Sequence, residues 1–286
     1  MNTQIDSVIE NYPAEISAER YTVRIAQTQK EIESALRLRY EVFSLELAGL
    51  EDSGKNCELE FDEFDYNCKH LIVIETRTRK TVGTYRLNTL ETAGKTSGFY
   101  SSGEFSVENL PPKILAGAVE IGRACIAREH RNTKVLFLLW KGLAGFVKQT
   151  RKRYFFGCCS IFTQDCETGK NVFRQLKSDG FLHEKFRVEP RKEKICDSED
   201  VSENSKAAEL PMLFKMYLKI GAKVCGLPTI DREFGTIDFF VIFDVTTLTA
   251  KYRRMFFGEG FQTKILSSKS DLKSLSKVKT VEQRVP

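Results

Sequence analysis

The sequence predicts an α/β fold, a mixed sheet covered by helices, and three observations carry that expectation. Segments with strand character alternate with segments of helical periodicity along most of the chain. One apolar run, "YFFGCCSIF" (154–162), is nearly continuous, as in strands buried on both faces. Another run, "AVEIGRACI" (118–126), has strand composition but carries Glu120 and Arg123 where apolar residues would pack better.

In chain order, a polar leader (1–20) precedes "YTVRIAQ" (21–27), which alternates as a strand. Residues 28–49 carry Ile32, Leu36, Val42, Phe43 and Leu47 at helical spacing, and an acidic loop follows over 50–67. "HLIVIET" (70–76) and "TVGTYRLN" (81–88) flank a short polar turn and predict a hairpin. A Gly/Ser-rich loop (93–104) leads to the interrupted strand, then to an amphipathic helix over 133–150 and the apolar strand. "TGKNVFRQLKSDGF" (168–181) reads as a helix stopped at Gly180. The polar stretch 190–209 is expected to be a flexible insertion. Beyond it lie a helix (210–224), a strand (236–245) and a helix (247–257). A single domain is therefore expected over 21–257, with a basic, frayed tail over 258–286.

Bulk properties narrow the function classes. The 286 residues are 41% hydrophobic and 29% charged, ordinary for a globular chain with a sizeable core. A net charge of +5 tolerates anionic partners but falls short of a dedicated nucleic-acid binder. No apolar run approaches the ~20 residues that span a bilayer. The N-terminus has neither a basic start nor an apolar core, so a cytoplasmic location is expected. The eight cysteines show no Cys-x-x-Cys and no paired histidines, which predicts thiols and no metal centre.

Four groups of residues carry chemistry. Glu60, Asp62 and Asp65, interleaved with Phe61 and Phe64, crowd three carboxylates that need cations beside them. A metal, a basic substrate or the protein's own arginines would serve, and the glycine and spacing of an EF-hand are missing. Arg39 precedes Phe43 by four residues, which places both on one helix face. Arg86 sits in an apolar strand, where a buried guanidinium calls for a carboxylate. Glu120 and Arg123 would face opposite sides of a regular strand, but a bulge at Gly122 would turn both towards one cleft. Finally, Arg128, His130, Arg131 and Lys134 mark a strand-to-helix junction. Backbone N–H groups and these cations make either a phosphate seat or a solvated basic turn.

The ordered series "LRYEVF", "ELEFDEFD", "HLIVIET", "VGTYRL", "FYSSGEF" and "VEIGRACI" resembles GNAT (Gcn5-related N-acetyltransferase) acyltransferases that use long-chain donors. It is most similar to the ornithine lipid synthase N-acyltransferases, of hemolysin-like type, and more distantly to acyl-homoserine-lactone (autoinducer) synthases. The resemblance spans roughly residues 20–257 and includes "LPMLFKMYLKIGAKVCGLPTIDREFGTIDFFVIF". It implies a GNAT fold with a splayed central strand. It also implies transfer of a 3-hydroxyacyl group from acyl carrier protein to an amino acid such as ornithine, giving a lyso-aminolipid. No permanently bound cofactor is implied; the phosphopantetheine thioester of the carrier protein is the donor.

Within that resemblance Glu120 would be the general base, with Arg123 beside it. Arg39, Phe43, Glu60, Asp62, Asp65 and Arg86 would form the substrate pocket, the carboxylates either holding a cationic amino acid or locking the arginines. Backbone N–H groups near Cys125 would hold the oxyanion, and Arg128, Arg131 and Lys134 would meet the acidic carrier protein. GNAT proteins that use acetyl-CoA carry a glycine-rich pyrophosphate loop after this strand; here the run is "REHRNTKV", without glycine, which favours the carrier-protein donor. A lipid product implies transient contact with a membrane surface, and no nucleic acid is expected. Autoinducer synthesis is the alternative enzyme, though the segment 205–257 makes this chain longer than such synthases. A non-catalytic anionic-surface module on the same fold is the alternative outside enzymology.

Overall fold

The computed structural model describes residues 15–49, 59–94, 98–196, 209–259 and 261. Its elements run β1 (Ile16–Ala18), β2 (Tyr21–Ile25), α1 (Gln29–Arg39), β3 (Lys69–Glu75), β4 (Thr81–Thr89), α2 (Leu90–Ala93) and α3 (Pro112–Ala116). Then follow β5 (Ala118–Ile126), α4 (Thr133–Thr150), β6 (Tyr154–Ile161), α5 (Cys166–Ser178), α6 (Met212–Ile220), β7 (Lys223–Val224), β8 (Thr229–Asp231), β9 (Thr236–Asp244) and α7 (Ala250–Phe257). The span 21–257 expected as one domain is distributed over two compact units: residues up to 87 with 123–150, and 88–122 with 151 onward. β5 is shared, its first five residues in the second unit and its last four in the first.

In the first unit β1 to β4 form an antiparallel meander, with Val23 opposite Val73 and Leu71 opposite Tyr85. Alternation along β3 sends Ile72 and Ile74 to one face, where Ala35 of α1 packs, and Leu71 to the other. There Gly142 of α4 lies so close that an added Cβ would stand 2.7 Å from Leu71 and 2.9 Å from Val23. The helix expected over 28–49 is two pieces, α1 and a π-helical stretch over Tyr40–Leu47. The wider turn rotates later residues off the buried stripe, which leaves Leu47 exposed. Part of the polar leader also becomes β1, turning at Glu19 into β2.

In the second unit β5 pairs in parallel with β6, and β6 pairs antiparallel with β9 from Tyr154↔Asp244 to Ile161↔Ile237. β7 and β8 both add to β9. One face carries Phe156 and Phe240, stacked with centroids 5.5 Å apart and covered by Phe99 and Phe105. The other receives α5, through Gly169 against Ile237, and α6, through Phe214 against Phe239. α5 begins two residues earlier than expected because Asp165 caps it, accepting the N–H groups of Glu167 and Thr168 at 3.1 and 3.2 Å. Of the insertion expected at 190–209, residues 197–208 lie outside the described residues. Residues 190–196 are tied down: Arg191 forks onto Glu108, and Ile195 bridges to Thr229. The tail expected over 258–286 lies outside the described residues except 258, 259 and 261.

Candidate active site

The first unit gathers six of the singled-out residues into one ionic cluster. α1 ends on Arg39, whose side chain is fully buried and forks onto Asp65 with Nη1–Oδ1 2.7 Å and Nη2–Oδ2 3.0 Å. Its Nε donates to Glu60. Arg86, from β4, donates to Asp62 and, at 3.1 Å, to Asp65. Arg123, from β5, reaches Glu60 at 2.8 Å and Asp62 at 3.2 Å. Each carboxylate therefore meets two arginines. The acidic loop is held in shape locally as well, since Asp62 accepts the N–H of Phe64 and Asp65 accepts that of Asp62. Burial pushes Asp65 upward, but Arg39 and Arg86 outweigh it and hold the carboxyl at about 2. His70 lies 3.9 Å from Asp65, and burial pulls it down to about 4, so it is neutral at pH 7 and forms no ion pair there.

β5 carries the sheet irregularity one residue later than expected. The left-handed residue is Arg123, at φ 48°, and not Gly122. Such a conformation costs a non-glycine residue ~1 kcal/mol or more, and the two carboxylates that grip Arg123 offset it. Phe43 is half-buried against Leu38, Val42 and Cys125. The Cys125 thiol is pushed up by burial and is not a thiolate.

At the junction after β5, Arg128 and His130 form a short turn. Arg131 forks onto Glu46, and Lys134 reaches Glu19 at 3.1 Å in an exposed pair. The first N–H groups of α4 are not all open: Asn132 accepts those of Lys134 and Val135 at 3.0 and 3.1 Å.

Glu120 belongs to the second unit, where it is buried. Its Oε1 accepts the N–H of Ser101 at 2.7 Å and its Oε2 that of Tyr100 at 3.1 Å, which anchors the turn Tyr100–Gly103. The ladder between β5 and β6 stops at Glu120↔Phe156, although β6 continues to Ile161. Just past that point the carbonyl of Ile121 leans over Gly157, where an added Cβ would stand 2.3 Å from its oxygen. Only glycine admits that approach.

Residues 38–141 match the family model described as "Acetyltransferase (GNAT) domain". A Brucella abortus (strain 2308) protein named L-ornithine N(alpha)-acyltransferase is 30% identical over 250 residues, covering 80% of this chain and 86% of that one. The chain belongs to the L-ornithine N(alpha)-acyltransferase family. An Agrobacterium fabrum (strain C58) protein of the same name is 29% identical over 257 residues, covering 82% and 85%. Among solved structures the AHL synthase LasI is similar, with 14% identity, 83% and 95% coverage and a TM-score of 0.46. The chain is thus an acyltransferase with the GNAT fold, and the reading as a non-catalytic module is set aside.

Reasoning from the sequence missed several polar residues of this acyltransferase. Tyr100, Ser101 and Glu104 lie in the loop "FYSSGEF", and Asp231 and Asp238 lie in "TIDREFGTID". Asp231 accepts the Tyr100 hydroxyl at 3.0 Å, and Asp238 accepts the Thr236 hydroxyl at 2.8 Å. The available signal was the tripeptide Thr-Ile-Asp occurring twice across a four-residue turn, with buried-strand neighbours around each acid.

Proposed function

We propose that this acyltransferase moves a 3-hydroxyacyl chain from acyl carrier protein to the α-amino group of ornithine. The observation that carries the reading is the similarity over four-fifths of the chain to proteins named L-ornithine N(alpha)-acyltransferase. In the reaction the ammonium first loses a proton, and the freed amine attacks the thioester carbonyl. The C–N bond forms, the C–S bond breaks, and the pantetheine sulfur leaves as a thiol after taking up a proton. The product is an N-acyl amino acid, a lyso-aminolipid.

Glu120 is the proposed proton acceptor, acting directly or through a water. Its two oxygens accept the N–H groups of Tyr100 and Ser101, which fixes the orientation of the carboxylate. By fixing the turn over Tyr100–Gly103 it also acts as a positioning residue. Backbone N–H groups near Cys125 are the proposed oxyanion donors, and Phe43 the apolar substrate contact. The pairing of Glu60, Asp62 and Asp65 with Arg39, Arg86 and Arg123 supports a locking role for this cluster over capture of an amino acid. Support for a carrier-protein donor comes from "REHRNTKV", which lacks glycine, and from the cations Arg128, Arg131 and Lys134 on that turn. A product that is a lipid also supports passing contact with a membrane surface, although no helix among the described residues is long and apolar enough to cross one.

The test is to incubate the purified chain with loaded carrier protein and a panel of amino acids, and to identify products by mass spectrometry. N-acyl ornithine is expected. Absence of any N-acyl amino acid refutes the reaction, equal turnover of acyl-CoA refutes the donor, and a lactone assigns autoinducer chemistry instead.

A further inference from the structure

β8 and β9 carry the same tripeptide on facing strands. Thr229 lies opposite Asp238, and Asp231 opposite Thr236, so all four side chains share one face of the hairpin. All four are buried, Thr229 and Thr236 completely. That face continues across the sheet of the second unit: Asp238 is opposite Ser160, and Glu120 is opposite Phe156. Cys158 stands midway on β6, two residues from each, with its Sγ 3.6 Å from the Ser101 hydroxyl. The hairpin acids therefore stand on the same face as the proposed proton acceptor.

The loop holding Glu120 also reaches the hairpin. Tyr100 donates to Asp231, and Glu104 accepts from Lys194 at 2.9 Å. The next residue, Ile195, bridges to Thr229. Two buried oxygens in this arrangement have no hydrogen-bond partner among the described residues, Oε2 of Glu104 and Oγ1 of Thr229. Glu104 is only 5% exposed and Thr229 not at all, so bulk water does not satisfy them. The free carboxylate oxygen of Glu104 can only accept and the Thr229 hydroxyl can accept as well as donate, so one donor group would satisfy both. Glu104, Asp231 and Asp238 make the surroundings negative, hence the donor should be positive. Burial and, less strongly, the nearby charges of Asp231 and Asp238 push the Glu104 carboxyl up, against the pull of Lys194, a setting in which a second cation would favour the charged form. Among the described residues no group of three or more His, Cys, Asp or Glu is arranged to hold a metal ion. An alkylammonium, with three N–H donors on a tetrahedral nitrogen, fits these requirements.

We propose that Glu104 and Thr229, backed by Asp231 and Asp238, receive the side-chain ammonium of a diamino-acid acceptor. The site thereby selects such acceptors over amino acids with an uncharged side chain. This rests on the reading of the reaction as acyl transfer to ornithine.

The experiment compares ornithine with 2-aminopentanoate, which has the same carbon chain without the terminal amine. Rates are measured with loaded carrier protein, and binding by calorimetry without a donor. In the wild-type protein ornithine is preferred. Glu104→Gln and Asp238→Asn are expected to raise KM for ornithine about tenfold or more, leave kcat within about threefold, and erase the preference by the same factor. Thr229→Val removes a buried unpartnered hydroxyl. It is expected to fold with undiminished Tm and raise KM for ornithine about threefold. An unchanged preference in every folded variant overturns the proposal. So does a lowered Tm for Thr229→Val with unchanged KM, which would mean a structural water fills the site. Should the wild-type protein acylate neither compound, the reaction assignment fails on its own. Calorimetry then still decides: tighter binding of ornithine, lost in Glu104→Gln or Thr229→Val, upholds the ammonium site, and equal binding of both compounds rejects it.

Discussion

Asp65→Asn removes the charge on which the ionic cluster of the first unit turns. The carboxylate accepts two N–H bonds from Arg39, one from Arg86 and one from the backbone of Asp62. Asparagine has the same shape, but one oxygen becomes an NH2 group that faces donors. The drop of the Asp65 carboxyl from 3.8 to about 2 corresponds to ~2.5 kcal/mol of stability at neutral pH. Arg39, whose side chain has no exposure, would in addition keep its charge with Glu60 as the remaining carboxylate partner among the described residues. The total loss should reach ~3–5 kcal/mol, a large part of the ~5–15 kcal/mol that holds a typical domain. The sign with pH follows from the depressed value. The Asp65 contribution is complete above about pH 4 and disappears as pH falls through about 2, so the gap between wild type and variant should close in acid. Urea unfolding followed by circular dichroism, at pH 7 and then in steps from pH 5 to 2, measures both effects. A loss below ~1 kcal/mol at pH 7, or a gap that stays constant down to pH 2, would refute the reasoning.

His70 is held at about 4 by burial, so the unfolded chain binds a proton there first. Stability should fall by ~3 kcal/mol between about pH 6.5 and 4, and His70→Leu should flatten that limb of the urea midpoint curve. Gly157→Ala drives a Cβ against the carbonyl of Ile121, a backbone atom that cannot rotate away. A loss of ~2 kcal/mol or more and of most activity is expected, while Gly103→Ala, with nothing within 4 Å, should leave Tm unchanged. Glu120→Gln leaves the N–H of Tyr100 or Ser101 facing an NH2 group, at ~1–3 kcal/mol in a thermal melt. If Glu120 is also the base, turnover should drop about a hundredfold or more, and a drop explained by unfolding alone would leave it a purely structural group. Lys134→Glu, at an exposed pair with Glu19, should raise KM for the carrier-protein donor most at low salt; an unchanged KM rejects that docking edge.

Elements were legible because their signals are local. The alternation of "YTVRIAQ", the periodicity of 133–150 and Gly180 at φ 74° behind α5 are each set within a few residues. The need for cations beside Glu60, Asp62 and Asp65 was equally visible, because three crowded carboxylates repel whatever fold contains them. Arg39 and Arg86 were candidates for those cations beside a bound amino acid, but Arg123 was not, since it comes from a third element that only packing brings to Glu60 and Asp62. Gly122 was the natural place for a left-handed kink by conformational freedom alone. Arg123 takes it instead, because its carboxylate partners outweigh the strain.

The sequence by itself thus determined an α/β acyltransferase chain, the order of its longer strands and helices, and a set of charges that had to be paired. Tertiary structure decided the pairing. It joined Glu120 to the turn at Tyr100 and Ser101, and the hairpin register put the Thr and Asp residues of both Thr-Ile-Asp tripeptides on one buried face. The physical reason is that a strand's side chains alternate with period two. A register one residue away would have turned Thr229 and Asp231 to the opposite face, and nothing in the local sequence forbids that slip.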